Sequence, residues 1–223
     1  NDIKEAISGK FNNVEGMIIT TEMMILNNRA SAYFDDVLSK HIQFNTEILL
    51  SDESVLNDMK KEYDYLIDCT WGCSKDIPGL DYYYEPCIYF YYEKKTSEDF
   101  AFTLMDGDFF SIYPYSDERY TVTSVKNTPI SQVTRYTEVD DCFKMAKKKS
   151  YIDAKRILFE SEIEQYYPGF RNDFEYVKPV YSLKTKMVSV SDFRGCVVVS
   201  DDRVISVFSG KIDTLHVAEK EVM

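Results

Sequence analysis

Aromatic residues in alternating segments constrain the fold of this chain more than any other sequence feature. The 223 residues include 18 tyrosines and 14 phenylalanines, and many of them lie in segments such as YYYEPCIYFYYE at 82–93 and FFSIYPY at 109–115. Aromatic-rich alternation with a period of two predicts strands that pair across a sheet. We therefore expect an aromatic antiparallel sheet, and the alternative role for these rings is to line a pocket for a flat or apolar ligand.

Helical spacing of apolar residues appears in three places. The segment 29–40 predicts a helix capped by Asn27 or Asn28, and 213–222 predicts a final helix capped by Asp213. The segment 138–166 predicts a helical pair that Pro168 and Gly169 end. Its candidate core residues are Phe143, Met145, Ile152, Ile157, Leu158 and Ile163.

Further strands are expected between the helices, and their order predicts an α+β fold. The predicted strands are 41–50, 63–70, 82–93 with an edge or bulge at Pro86, 100–107, 109–115, 119–129, 174–188, 195–200 and 203–210. We expect a polar loop or hairpin over 51–62 and turns at Asp106–Asp108 and Asp201–Asp202.

Charge and composition exclude several classes of partner. The formal net charge is −12, which opposes binding to nucleic acids and to anionic membrane surfaces. The sequence has no long apolar run for a membrane span and no secretory segment at its start. Its five scattered cysteines favour reduced thiols and a cytoplasmic location, and its two distant histidines argue against a zinc site. No nucleophile-elbow motif supports a Ser-His or Cys-His pair. A small-molecule substrate is the expected partner, and the oligomeric state stays open.

Five segments, taken in order, resemble the later portion of a known enzyme family. They are EGMIITTEMMILNNRASAYFDDVL (15–38), YDYLIDCTWG (63–72), MDGDFFSIYPY (105–115), FESEIEQYYPGF (159–170) and RVISVFSGKIDTLHVAEK (203–220). The family is the amino-acid oxidase type of FAD-dependent oxidoreductase, which includes sarcosine and D-amino-acid oxidases.

The resemblance implies a domain organisation. An antiparallel aromatic substrate-binding sheet with helices, at 73–183, is expected to pack on part of an FAD-binding α/β domain formed by 1–72 and 184–223. That α/β domain lacks its N-terminal Rossmann unit, because the GxGxxG fingerprint that holds the pyrophosphate is absent from the sequence. A start at Asn1 rather than Met suggests a trimmed or partial chain. The fingerprint is therefore expected on another segment, or else the chain does not bind FAD.

The resemblance also implies site residues. Two turns are expected to contact FAD, and a glycine, a helix start and a lysine after the last strand would favour the negative charge of the reduced flavin. The implied cofactor-binding residues are Thr70, Trp71, Gly72, Ser209, Gly210, Lys211 and Ile212. Substrate contacts are implied for Tyr113, Tyr115 and Arg194, and catalytic roles for Lys211 and Tyr113.

Each of these residues has a simpler interpretation. The segment after the last strand can be an ordinary glycine turn with a solvent-exposed Lys211, and the earlier turn can be a simple β-turn with Trp71 in the core. Tyr113 and Tyr115 can be core tyrosines, and Arg194 can be a surface residue.

The function implied by the resemblance is flavin-mediated hydride removal from an amine, an amino acid or a related C–N or C–O substrate. The alternative is a non-catalytic ligand-binding or interaction domain that has lost the flavin. A carbohydrate-binding module is a third hypothesis, and it rests on the tyrosines alone.

Overall fold

The computed structural model describes residues 9–21, 23–97, 100–105, 109–189, 195–209 and 211–223, without the side chain of Ile212. Its helices are α1 (Asn27–Leu38), α2 (Glu53–Glu62), α3 (Val139–Ala146), α4 (Lys149–Tyr166), α5 (Phe170–Asp173) and α6 (Leu215–Val222), with short 3₁₀ helices at Ser39–His41, Tyr136–Glu138 and Ile212–Thr214. Its strands are β1 (Leu66–Asp68), β2 (Tyr82–Lys94), β3 (Phe102–Thr103), β4 (Phe110–Pro114), β5 (Arg119–Ser124), β6 (Phe174–Met187), β7 (Cys196–Asp201) and β8 (Val204–Ser209). The predicted α+β class is confirmed.

The chain forms two compact units. The first unit comprises 1–42, 86–131 and 140–182, and the second comprises 43–85, 132–139 and 183–223. The division into segments 1–72, 73–183 and 184–223 stays a prediction about the domain organisation.

Most of the aromatic sheet, with strand order β3-β4-β5-β2-β6, lies in the first unit, and the 82–85 end of β2 and the 183–187 end of β6 belong to the second unit. Strands β3, β4, β5 and β2 pair antiparallel, and Tyr92 lies opposite Tyr120 while Phe90 lies opposite Val122. These four side chains share one face of the sheet and are buried. Helix α4 contributes Phe159 and Ile163 to the same core, so the prediction of an aromatic antiparallel sheet with helices is confirmed.

The second unit contains a three-stranded sheet with the order β1-β8-β7. Strands β7 and β8 form an antiparallel hairpin, and Asp202 in its tight turn has φ of 55°. Strand β1 pairs in parallel with β8, which follows it much later in the sequence. Leu56 of α2 packs in a small core with Leu66 and Val204.

Several local predictions are wrong. Residues 42–50 contain no strand, and 53–62 form helix α2 instead of a loop, because Asp52 caps this helix through the backbone N–H groups of Ser54 and Val55. Strand β2 runs through Pro86 and lies inside its sheet, so of the two alternatives at Pro86 the edge strand is wrong, and the bulge stays a prediction. The caps predicted for the first and last helices are also wrong. Leu26 precedes α1 and Thr214 precedes α6, and neither makes a side-chain cap bond.

The Asp52 cap predicts a dependence of stability on pH. The Ser54 hydroxyl, followed by the backbone N–H groups of Ser54 and Val55, lowers the pKa of the Asp52 carboxyl. A lowered pKa means that this stabilisation is present above the ordinary aspartate pKa of about 3.9 and is lost as the pH falls through the folded-state value. We expect the urea midpoint of Asp52→Asn, which keeps a capping oxygen, to fall less on acidification than that of the natural chain. The exposed Asp35→Asn is the control, and equal pH profiles for all three proteins would contradict the assignment.

Candidate functional site

Two turns follow strands that end at the same edge of the second unit's sheet, because β1 and β8 run in the same direction. Leu66 lies opposite Val204, and Asp68 lies opposite Ser206. The carboxyl ends of parallel strands point to the same edge of a sheet, where α/β proteins commonly bind their ligands. The predicted turns at 70–72 and after Ser209 both follow these carboxyl ends, so the structure brings two parts of the predicted cofactor site to the same edge.

Asp68 organises the first turn, although the sequence analysis did not single it out. Its Oδ1 accepts hydrogen bonds from the backbone N–H of Thr70 at 2.8 Å and from the Thr70 hydroxyl at 2.6 Å. The Thr70 hydroxyl oxygen in turn accepts a bond from the backbone N–H of Ser74, whose own hydroxyl donates to the carbonyl of Ile48. This chain of bonds gives Thr70 a structural role at the edge. An acidic residue that ends the apolar strand segment LID was the signal available in the sequence.

The backbone at Trp71 and Gly72 is left-handed, with φ of 54° and 80°. The Cys73 N–H donates to the carbonyl of Thr70, which closes a β-turn. A Cβ at Gly72 would lie 2.5 Å from the hydroxyl oxygen of Tyr82, so a tyrosine of the same chain occupies the space beside this glycine. Trp71 is 46% exposed, and the alternative that placed it in the core is wrong. The turn therefore presents an indole ring to its surroundings.

The second turn follows β8. The Ser209 hydroxyl donates to the carbonyl of Lys211 and lies 2.6 Å from the hydroxyl of Thr214, which also donates to the Lys211 carbonyl. The Lys211 residue is exposed. Gly210 and the side chain of Ile212, which the resemblance implied for cofactor binding, lie outside the described residues. The described part of this turn contains an exposed lysine. The hydroxyl groups of Ser209 and Thr214 stabilise the turn, which leads into α6.

A cavity of about 330 Å³ runs beside β1, and we call it the β1 groove. It is lined by residues 65–70 together with Ile48, Leu50, Met59, Tyr63 and Ser74. Most of these side chains are apolar, and Asp68 is the carboxylate among them. The Asp68 Oδ2 atom is buried and has no hydrogen-bond partner in the described part of the chain.

Cys69 and Cys73 flank the first turn. Burial, followed by the negative charge of Asp68, raises the pKa of both thiols. A thiol with a raised pKa carries little thiolate at neutral pH, so neither cysteine has the character of a nucleophile. All five cysteines of the chain are free thiols. Among the described residues no group of His, Cys, Asp or Glu side chains could hold a metal ion.

Tyr113 and Tyr115, which were predicted to contact substrate, belong to the first unit. Tyr113 lies opposite Thr121 on the sheet face that turns away from the aromatic core, and its hydroxyl accepts a bond from Thr103 at 3.0 Å. The Tyr115 ring lies 4.9 Å from the Tyr91 ring. Arg194, the third predicted substrate residue, lies outside the described residues, as does the turn predicted at Asp106–Asp108.

Two cations lie on the same tyrosine of this sheet face. The guanidinium of Arg119 and the ammonium of Lys178 each lie 5.8 Å from the centre of the Tyr91 ring. Arg119 also forms an ion pair with Glu93 at 2.8 Å, while its Nε has no hydrogen-bond partner among the described residues. The sequence analysis missed Arg119, because only strand register shows that it shares a face with Tyr113.

None of the described helices combines the length and the apolar character that crossing a membrane requires.

Comparison with known proteins points to flavin-dependent enzymes. No protein-family model matches the chain. The chain is 34% identical over 215 residues to the FAD-dependent monooxygenase FPY4 of Fusarium mangiferae. The aligned region covers 95% of this chain and 57% of that protein. It is 26% identical over 148 residues to the FAD-dependent monooxygenase kojA of Aspergillus flavus, covering 63% of this chain and 35% of that protein. The probable FAD-dependent monooxygenase kojA of Aspergillus oryzae gives the same values.

The chain spans only a little over half the length of FPY4, at 57%. Its homologues are FAD-dependent monooxygenases, which supports the FAD-dependent oxidoreductase part of the resemblance. Their names do not support the amino-acid oxidase subgroup specifically. The chain is thus similar, over 95% of its own length, to part of a FAD-dependent monooxygenase.

Proposed function

We propose that the chain is part of a FAD-dependent oxidoreductase and that its second unit contributes an FAD-facing edge. The observation that carries this proposal is the parallel pairing of β1 with β8, which directs the turns at 70–72 and after Ser209 to the same edge. The similarity to FAD-dependent monooxygenases supports it independently. When bound, FAD supplies the redox chemistry, since its ring system accepts the electrons of the substrate.

The residues at this edge fit such a cofactor. Trp71 offers an exposed aromatic face against which a flat ring can stack. Lys211 is exposed beside the start of the last helical segment, where positive charge and free N–H groups favour a negatively charged ligand. Gly72 allows the left-handed backbone conformation of the turn. Asp68 holds Thr70 in place by accepting a hydrogen bond from its backbone N–H.

The finer proposal concerns the reaction. We propose hydride removal from a C–N or C–O bond of a small molecule, such as an amine or amino acid, with Lys211 stabilising negative charge on the cofactor. Tyr113 and Tyr115 are proposed to contact the substrate, and Arg194, which lies outside the described residues, is proposed to bind a carboxylate. Tyr113 is 38% exposed, so a ligand can reach it. A cytoplasmic location remains part of this proposal.

The experiment uses the fact that Trp71 is the only tryptophan of the chain. We expect added FAD to quench the fluorescence of Trp71 in a saturable titration, because a flavin near the indole accepts its excitation energy. Lys211→Met should weaken FAD binding about fivefold, and the exposed Lys220→Met in α6 is the matched control.

Two results would count against this proposal. If the purified chain contains no flavin and FAD leaves Trp71 fluorescence unchanged, the second unit does not bind the cofactor. If both lysine variants bind FAD like the natural chain, Lys211 has no role in binding. The absence of GxGxxG from the 223 residues favours the alternative of a ligand-binding domain without flavin, and the first result would select that alternative.

A further inference from the structure

Tyr84, near the start of strand β2, contacts the turn at 70–72 from its buried side. The Tyr84 side chain is 1% exposed, and its hydroxyl donates a hydrogen bond of 2.6 Å to the carbonyl oxygen of Gly72. Gly72 is buried, and both residues belong to the second unit. Because a buried carbonyl without a donor is costly, this bond fixes the direction in which the Gly72 carbonyl points.

Tyr84 is itself held in place by its neighbours. Its backbone N–H donates to the carbonyl of Val133 at 2.8 Å, and the Val133 N–H donates to the Tyr84 carbonyl at 2.9 Å. The Tyr84 ring meets the rings of Tyr82 and Tyr136 edge-to-face, with centres 5.7 and 5.5 Å away. Burial raises the pKa of Tyr84, so its hydroxyl stays protonated at neutral pH and remains a donor.

One peptide group of the turn is fixed at both ends. The peptide between Gly72 and Cys73 accepts the Tyr84 hydroxyl through its carbonyl, and its N–H donates to the carbonyl of Thr70. The N–H groups of Trp71 and Gly72 differ, since they donate no hydrogen bond within the described residues. These two donors and the exposed indole of Trp71 are therefore the groups with which the turn can bind a ligand.

Two anchors set the direction of these groups. Asp68 holds the turn at Thr70, just before Trp71, and Tyr84 holds it at Gly72, just after Trp71. Trp71 has φ of 54°, and a left-handed backbone is unfavourable for a residue other than glycine. Such a conformation persists only where surrounding contacts maintain it. Loss of one anchor is therefore expected to let Trp71 move to a commoner backbone conformation.

We propose that Tyr84 is a positioning residue for the turn that faces the cofactor. Its hydroxyl keeps Trp71 and the two backbone donors in the orientation that binds FAD. Tyr84 is buried, so it acts through the turn and does not touch the cofactor itself. This inference rests on the proposed function, because it takes FAD as the ligand of the turn.

The test is Tyr84→Phe, which removes the hydroxyl and keeps the ring contacts. We expect the time-resolved fluorescence anisotropy of Trp71, the only tryptophan, to gain a faster component without flavin, because one anchor of the turn is lost. The dissociation constant for FAD, measured by quenching of Trp71, should rise about fivefold, since one hydrogen bond no longer favours the binding conformation.

Tyr83→Phe is the matched control. It removes the same hydroxyl from the preceding residue, whose side chain points to the opposite face of the strand. It should leave the anisotropy of Trp71 and the affinity for FAD unchanged. Urea midpoints show that both variants are folded under the conditions used, and sucrose is added to all samples if either variant is partly unfolded.

The outcomes separate positioning from stability and from flavin binding. A role in stability alone would lower the urea midpoint of Tyr84→Phe but leave its folded-state anisotropy and FAD affinity equal to those of the natural chain. That result, or equal effects of the two variants, overturns this proposal. A natural chain that binds no FAD contradicts the proposed function, and the anisotropy without flavin then still decides whether Tyr84 holds the turn. If the natural chain and Tyr84→Phe bind FAD equally, the proposed function stands and this inference is lost.

Discussion

Phe159→Ala is expected to lower the free energy of unfolding of the first unit by about 4 kcal/mol. The Phe159 side chain is fully buried in the aromatic core, and its ring meets the Phe90 ring edge-to-face with the centres 5.0 Å apart. Truncation to alanine removes this contact and leaves a cavity between helix α4 and the sheet. Urea denaturation followed by the near-ultraviolet circular dichroism of the tyrosines, most of which lie in the first unit, measures the loss.

Leu158→Ala is the control for Phe159→Ala, since Leu158 is the preceding residue of the same helix and is 52% exposed. We expect it to cost less than about 1 kcal/mol. Trp71 fluorescence reports on the second unit, so a change in the first unit alone should alter the two signals differently. Equal losses for the two variants would contradict the assignment of Phe159 to the core.

This pair of residues shows why the sequence predicted the helix better than its buried face. Helical spacing suggested Ile157, Leu158 and Ile163 as core residues, and Ile163 is fully buried as expected. Ile157 and Leu158 are 56% and 52% exposed, and Phe159 is buried instead. Three consecutive apolar residues cover most of the circumference of a helix, so their pattern does not determine which of them faces the sheet.

The sheets differ in how much of them the sequence could predict. Alternating aromatics correctly predicted the antiparallel strands β2, β4 and β5, because adjacent hairpin strands leave a local pattern. The pairing of β1 with β8 joins segments that are far apart in the chain, and no local pattern specifies it. The polar segment 51–62 favours a loop or hairpin by sequence, although Asp52 and Ser54 form a capping arrangement that starts helix α2.

The candidate site could likewise be predicted only in part from local sequence patterns. Both turns were predicted from short strands followed by small residues. The first turn is present, closed by the Cys73 N–H and the Thr70 carbonyl, whereas the turn after Ser209 includes Gly210, which lies outside the described residues. Their meeting at one edge depends on the parallel pairing, which only the structure shows. The role of Asp68 also escaped the sequence analysis, because its hydrogen bonds to Thr70 and its unpartnered oxygen depend on three-dimensional burial.

Gly72→Ala is expected to destabilise the second unit by about 3 kcal/mol, the sum of a left-handed backbone penalty and a steric clash. Gly72 has φ of 80°, and an added Cβ would lie within 2.7 Å of three atoms of the Tyr82 side chain. Tyr82 cannot move aside freely, since its hydroxyl donates to Asp76 and its ring contacts Phe208. Urea denaturation followed by the fluorescence of the neighbouring Trp71 measures the effect.

Gly79→Ala separates the two contributions at Gly72. Gly79 has a similar φ of 75°, but an added Cβ there would meet no atom within 4 Å. We expect Gly79→Ala to cost only the backbone penalty of about 1 kcal/mol, and Tyr82→Leu to recover part of the additional loss in Gly72→Ala. If the two alanine variants were equally stable, the contact with Tyr82 would not constrain the turn. The conformation that exposes Trp71 would then depend on the backbone of the turn and on its hydrogen bonds to Asp68 and Tyr84.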